Sequence, residues 1–273
     1  MEKGKKEKIA LILGFFLILI VILITLFRSK LFTSSDNSSQ FDFNAQISSE
    51  LGYNTINAKD LNKKILLAKK DSPITLLDIR PFDSYIKEHL IDAVNLTPDD
   101  FPLNSKIDPR SQVIVIGADE NDEDIKKTVD ELKKEKFDNF LVLIGGMNSW
   151  QQIGGITVSY GDPNLFTDQS KVSYVTQEDL NDALKQNVPM FIVDVGTPES
   201  YAKGHIRGAI NIPSDDLEKR RNEITEKKVV VVGPNELQEF QSSVQMYDML
   251  LVSPFVLKGA MPQWIQKGYP VVK

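Results

Sequence analysis

The chain has 273 residues, of which 41% are apolar and 26% charged; its formal net charge is −6 and it contains no cysteine. That length holds one to three domains, and the balance of apolar and charged residues excludes wholesale disorder. The lack of cysteine excludes disulfides, thiolate metal sites and any sulfur nucleophile supplied by this chain.

Ile9 opens and Phe27 closes a run of nineteen residues without a charge. At about 1.5 Å per residue, a helix over 9–27 crosses most of a ~30 Å hydrocarbon layer. Lys3, Lys5, Lys6 and Lys8 precede it, and only Arg28 and Lys30 follow closely. The excess predicts a cytoplasmic segment 1–8, a single transmembrane helix 9–27, and everything after Phe27 outside the membrane. A cleaved signal peptide is the competing reading. It would have a shorter apolar core and a small-x-small cleavage site directly after it, so an uncleaved anchor is preferred. No face of the segment is polar, which argues against a soluble helix.

Residues 28–52 are rich in Ser, Asn, Asp and Gln and read as a flexible tether. Asn37-Ser-Ser39 and Asn95-Leu-Thr97 have the form of glycosylation acceptors, which matters only in a eukaryotic secretory pathway. Six Lys/Arg against two Glu give residues 1–30 a charge of +4, leaving −10 on the rest. Such a surface argues against nucleic acid and against anionic lipid as partners of the folded part.

The remainder divides into 53–160, a linker 161–171, and 172–273. The two long segments are copies of one pattern. Asp78, Ser84, Tyr85, Lys87, His89, Ala93, Asn95, Asp99 and Asp100 recur at one offset as Asp194, Ser200, Tyr201, Lys203, His205, Ala209, Asn211, Asp215 and Asp216. Each copy opens with a helix, capped by Asn57 or Thr176. A short apolar strand ending in Asp follows, then a helical turn with Tyr85 or Tyr201. Next come the runs 113–116 (Val, Ile, Val, Ile) and 229–232 (four Val), which suit parallel strands covered on both faces. Gly117 or Gly233 comes directly after. Helices are predicted over 124–136 and 236–250, followed by an apolar strand, a glycine turn and the only two tryptophans, Trp150 and Trp264. Alternating strands and helices predict an α/β fold of two tandem domains, each a parallel sheet flanked by helices.

The segment Gly204-His205-Ile206-Arg207-Gly208-Ala209-Ile210-Asn211-Ile212-Pro213 closely resembles the signature of the rhodanese (sulfurtransferase) domain. The first copy keeps Tyr85, His89, Ala93 and Asn95 but has Glu88 and Asp92 where that family prefers Gly. The resemblance extends to the strand, Gly turn and Trp-bearing helix that close each copy. It implies a thiolate directly after the long Val/Ile strand, in a loop whose backbone N–H groups form a nest. There the Cys attacks an anionic sulfur donor and carries the sulfur as a persulfide.

This chain has Gly117 and Gly233 at the two positions where the resemblance places that Cys, so no catalytic residue is assigned. The first loop, Gly117-Ala118-Asp119-Glu120-Asn121-Asp122, is acidic, and thiosulfate is repelled by such a run. The second, Gly233-Pro234-Asn235-Glu236, has no basic residue, and Pro234 removes one N–H from the nest. These degenerate loops are the candidate binding residues for an unidentified protein or small anion; no metal or cofactor is expected. His89 and His205 read as structural, Asp78 and Asp194 as acceptors of turn hydrogen bonds, and both tryptophans as core. The acidic run 119–124 lacks the glycine and closing glutamate of a calcium-hand loop and reads as a solvated helix N-terminus. The expected function is that of a membrane-anchored, catalytically silent binding or scaffolding module outside the membrane. The alternative is a sulfurtransferase-related enzyme working with a partner's thiol. A third reading has one domain only stabilising the other.

Overall fold

Two five-stranded parallel sheets carry the two copies, and their strand orders are the same. In the first copy the strands are β1 (Thr55–Ile56), β2 (Ile74–Asp78), β3 (His89–Leu90), β4 (Val94–Asn95), β5 (Gln112–Ile116), β6 (Phe140–Leu143) and β7 (Thr157–Val158). In the second they are β8 (Ser173–Val175), β9 (Phe191–Asp194), β10 (Ile210–Asn211), β11 (Val229–Val232) and β12 (Phe255–Leu257). The sheets run β1-β6-β5-β2-β4 and β8-β12-β11-β9-β10, every pairing parallel. Beside the first sheet β3 pairs antiparallel with β7; beside the second a single antiparallel bridge joins His205 to Val272.

This computed structural model describes Ser48 and residues 51–68, 73–102, 107–119, 122–250 and 252–273. The predicted basic N-terminus, the transmembrane helix 9–27 and most of the tether lie outside them. Among the described residues, no helix is long and apolar enough to cross a membrane. Tyr53–Lys273, which holds both sheets, is one compact unit.

The Val/Ile runs are central because each face of the sheet has its own core. Along β5, Ile114 and Ile116 pack with Leu61, Leu143, Met147 and Trp150 on one side, while Val113 and Val115 pack with Ile125, Val129 and Leu132 on the other. Along β11, Val230 and Val232 meet Leu180, Met261 and Trp264, and Val229 and Val231 meet Leu217 and Met246. Alternate residues thus serve opposite faces, as the strand period of two requires. Asn57 accepts the Asp60 N–H at 2.9 Å and Thr176 the Asp179 N–H at 3.1 Å, so both predicted caps form. The helix expected over 124–136 spans Glu123–Lys134. It stops two residues early because Lys136 takes a left-handed φ of 64°.

The residues that mark the repeat do structural work in both copies. Tyr85 and Tyr201 donate to the carbonyls of Ala93 and Ala209, at 2.8 and 2.6 Å. Asn95 bridges the carbonyls of Asp78 and Arg80, and Asn211 those of Asp194 and Gly196. Both tryptophans are buried and donate to the carbonyls of Ile156 and Pro270.

The two copies dock through the helix Glu236–Leu250 of the second copy. Gly161, at φ +76°, lies against Val244, whose side chain comes within 2.8 Å of where a Cβ on Gly161 would stand. Asp248 accepts from the Ser159 N–H and Oγ and pairs with Lys171 at 3.0 Å. Nearby, Glu218 accepts the Asp92 N–H at 2.6 Å and lies 2.9 Å from His89 Nε2, and Arg221 donates to Asp92 at 2.8 Å.

Candidate functional site: two loops after the central strands

The loops that follow β5 and β11 end where the parallel strands of each sheet end, the usual place for ligands in this architecture. Gly117 and Gly233 are buried at the tips of their strands, with Ala118, Pro234, Asn235 and Glu236 exposed beyond them and Asp119 half-buried. Glu120 and Asn121 lie outside the described residues. Each loop is fastened from behind by a short helix. Met147 N–H donates to the Gly117 carbonyl and Met261 N–H to that of Gly233, at 2.9 and 3.0 Å. Gly146 must be glycine: its φ is +49°, and a Cβ there would stand 2.3 Å from the Gly117 carbonyl oxygen. Its counterpart Ala260 holds a similar φ of 53° with a side chain.

In each loop a carboxyl group of the chain itself occupies the region around the glycine. Asp122 Oδ2 accepts the Ala118 N–H at 2.8 Å and stands 2.8 Å from the position of a Gly117 Cβ. Its other oxygen accepts the Asp124 N–H at 3.0 Å and caps the helix. In the second loop Glu239 Oε1 accepts the Gly233 N–H at 2.6 Å. A Gly233 Cβ would stand 2.9 Å from Val195 and 3.3 Å from Glu239. Glu239 is fully buried and its Oε2 has no partner among the described residues. Burial pushes this carboxyl up to about 9, against the opposing pull of the Gly233 N–H and helped by Glu236 and Asp194. It is therefore a neutral carboxylic acid at pH 7.

The residues that precede the loops differ between the copies in a way the sequence reading missed. Asp78 accepts the Arg80 N–H and is paired with the Arg80 guanidinium at 2.6 Å, both buried; the guanidinium also donates to the Glu88 carbonyl. The second copy has Gly196 at that place, and among the described residues the Asp194 carboxyl accepts its N–H alone, at 2.9 Å. Burial raises the Asp194 carboxyl above the ordinary range, against the pull of the Gly196 N–H and of His205. The signal for the pair was Arg80 itself, two residues beyond the strand-ending Asp.

The histidines are not brought together. His89 and His205 stack on Tyr85 and Tyr201 in their separate copies, with ring centroids 3.9 and 3.6 Å apart. Each directs Nδ1 at the carbonyl of its tyrosine. Among the described residues there is no cluster of three or more His, Asp and Glu placed to hold a metal ion.

The family model for the rhodanese-like domain matches the chain twice, at residues 58–153 and 176–267. The chain belongs to the rhodanese-like family. It is 32% identical over 74 residues to the uncharacterized protein YqhL of Bacillus subtilis, covering 27% of this chain and 59% of the relative. To an uncharacterized protein of Buchnera aphidicola it is 29% identical over 89 residues, covering 30% and 60%. The matches thus span about three fifths of each curated relative. Among solved structures, a thiosulfate sulfurtransferase from Pseudomonas aeruginosa aligns with 80% of this chain and 43% of its own, at 16% identity and a TM-score of 0.42. Within the family this chain is a tandem member that contains no cysteine.

Proposed function

We propose that the protein is a non-catalytic binding module of the rhodanese-like family, held at the outer face of a membrane by residues 9–27. One observation carries the silent reading: at both sites where the family chemistry needs a thiolate the chain has glycine, and a neighbouring carboxyl holds the loop amide. Covalent sulfur transfer needs a nucleophile that can take up and release sulfur. Neither glycine supplies one, and in the first loop the Asp122 side chain at the amide opposes an anionic donor.

The test is thiocyanate formation from thiosulfate and cyanide by the purified chain. The expected rate equals the buffer blank, and turnover above it overturns the reading. Gly233→Cys is expected to stay at the blank, because Val195 and Glu239 already hold the space its side chain needs. Anchoring is tested separately by adding protease to the outside of intact cells that carry the chain with an N-terminal tag. Digestion of the folded part with the tag protected is expected; protection of the whole chain overturns that orientation.

A further inference from the structure

The helices Ala58–Leu66 and Gln177–Lys185 open the two copies at equivalent places. Their buried sides agree. Asn57 and Thr176 cap them, and Leu61 and Leu180, at 0% and 1% exposure, share a core with Trp150 and Trp264 of their own copies. Ile65 and Leu184 are half-buried against the same two cores.

Their solvent sides do not agree. Lys59, Lys63, Leu66 and Leu67 are exposed on the first helix and at its C-terminal end. At the same steps from the cap the second copy has Glu178, Asp182, Lys185 and Gln186, all exposed as well. These positions follow the spacing i, i+4, i+7 and i+8, which gathers them in an arc of about 100° opposite the buried leucine. Leu66 and Leu67 are each 76% exposed. Single exposed leucines are ordinary on a protein surface. Two adjacent ones beside a row of lysines, where the twin helix carries Lys and Gln, are a local departure from an otherwise shared design.

The charges depart in the same direction. Residues 58–67 hold Lys59, Lys63 and Lys64 against Asp60, whereas 177–186 hold Lys185 against Glu178, Asp179 and Asp182. Lys63 approaches Asp60 at 3.6 Å with 71% of its side chain exposed, which leaves its charge open to solvent. The acidity of the folded part is therefore an average that this face reverses.

A basic helix face tipped with leucine fits an anionic lipid surface. The ammonium groups stay among the headgroups while the leucines enter the acyl boundary. Nucleic acid leaves the leucines without a counterpart. Place in the chain points the same way: this is the first helix of the two copies after residues 9–27, and the twin beyond the linker lacks the pattern. So small a face binds lipid weakly by itself, but on an anchored chain the contact is intramolecular, and a high effective concentration sustains it.

We propose that the face formed by Lys59, Lys63, Leu66 and Leu67 rests on the anionic phospholipid surface of the membrane that residues 9–27 enter. This rests on the anchored part of the proposed function and adds to it a second, peripheral contact that orients the first copy on the bilayer.

The chain has no cysteine, so a single introduced one takes a fluorophore at one place. Full-length Ala68→Cys, labelled with bimane, reports on this face, because Ala68 is exposed next to Leu67. Lys126→Cys is the control, exposed on the helix that covers the opposite face of the sheet. Both are reconstituted in vesicles of equimolar phosphatidylcholine and phosphatidylglycerol, or of phosphatidylcholine alone, with doxyl lipid as quencher. On the mixed vesicles quenching at 68 is expected to exceed that at 126 about fivefold, and to fall about threefold on phosphatidylcholine alone. Lys59→Glu, Lys63→Asp, Leu66→Lys and Leu67→Gln together give this face the residues of its twin and are expected to bring position 68 to the level of 126. Melting curves check that the variants are folded. Leu67→Gln alone, expected to lower quenching about twofold, keeps the test alive where the combined variant does not fold. Equal quenching at the two positions, equal quenching on the two kinds of vesicle, or quenching unchanged in the folded variants overturns the proposal. Flotation separates two failures. A chain that floats with its vesicles while position 68 stays unquenched sinks this contact alone; a chain that does not float sinks the anchoring as well.

Discussion

The helices Glu123–Lys134 and Glu236–Leu250 occupy the same place in the two copies and face different surroundings. The first buries one stripe, Ile125, Thr128, Val129 and Leu132, and exposes Lys126, Lys127, Asp130, Lys133 and Lys134. The second has no exposed residue from Glu239 to Met249. Phe240 and Val244 pack with Val172 and Val256, Met246 lies over Val229 and Val231, and Val244 also meets Gly161, the first residue of the linker from the first copy. One helix is covered along a single stripe and keeps a clean amphipathic period; the other is covered on both sides and loses it. A duplicated element is thus rewritten by what comes to lie on it, while the sheet beneath stays the same.

The largest effect expected from breaking this difference is that of Val244→Asp. It buries a carboxylate without a partner between the copies and is expected to cost about 3–5 kcal/mol, read as a loss of the main calorimetric transition. Glu239→Gln is expected to act in the opposite direction at alkaline pH. Below about 4.3 the unfolded and folded carboxyls both hold the proton. Above that the unfolded chain releases it while the folded chain keeps it up to about 9, so wild-type stability falls across this window. Asp194, also raised by burial, adds to the same slope. The glutamine variant is expected to flatten the dependence and to gain on the order of 2 kcal/mol by pH 8, measured as melting temperature against pH.

A smaller loss is expected from Glu218→Ala, which deprives His89 and the Asp92 N–H of their acceptor across the seam. About 1–2 kcal/mol is expected from denaturant unfolding. Combined with Arg221→Ala, the two losses are expected not to add, because both residues meet at Asp92. Lys126→Ala, on the solvated side of the first helix, is expected to change stability by less than about 0.5 kcal/mol.

Local features were readable from the chain alone. The repeat, both caps, the Val/Ile strands, the buried tryptophans and the two glycines all follow from residue type at a fixed spacing. What stayed hidden depends on groups distant in sequence. His89 was read as a structural residue of its own copy; its second contact is Glu218, 129 residues away. Glu236 was read as part of the second loop, whereas the acid that reaches the Gly233 amide is Glu239, inside the helix. Nothing in its spacing distinguishes it from the exposed Glu236 one turn earlier; it is buried against Gly233 at the tip of β11 in its own copy. Arg80 was overlooked because its partner sits two residues back, and the shared positions of the repeat do not include it, since the second copy has Gly196 there.

Both sheets finish in strands of two or three residues: β1 and β4 in one, β8 and β10 in the other. Such stubs offer a foreign strand too few free amide and carbonyl groups to zip against. Many copies crowded on one surface would therefore stay separate molecules rather than joining margin to margin into a continuous ribbon.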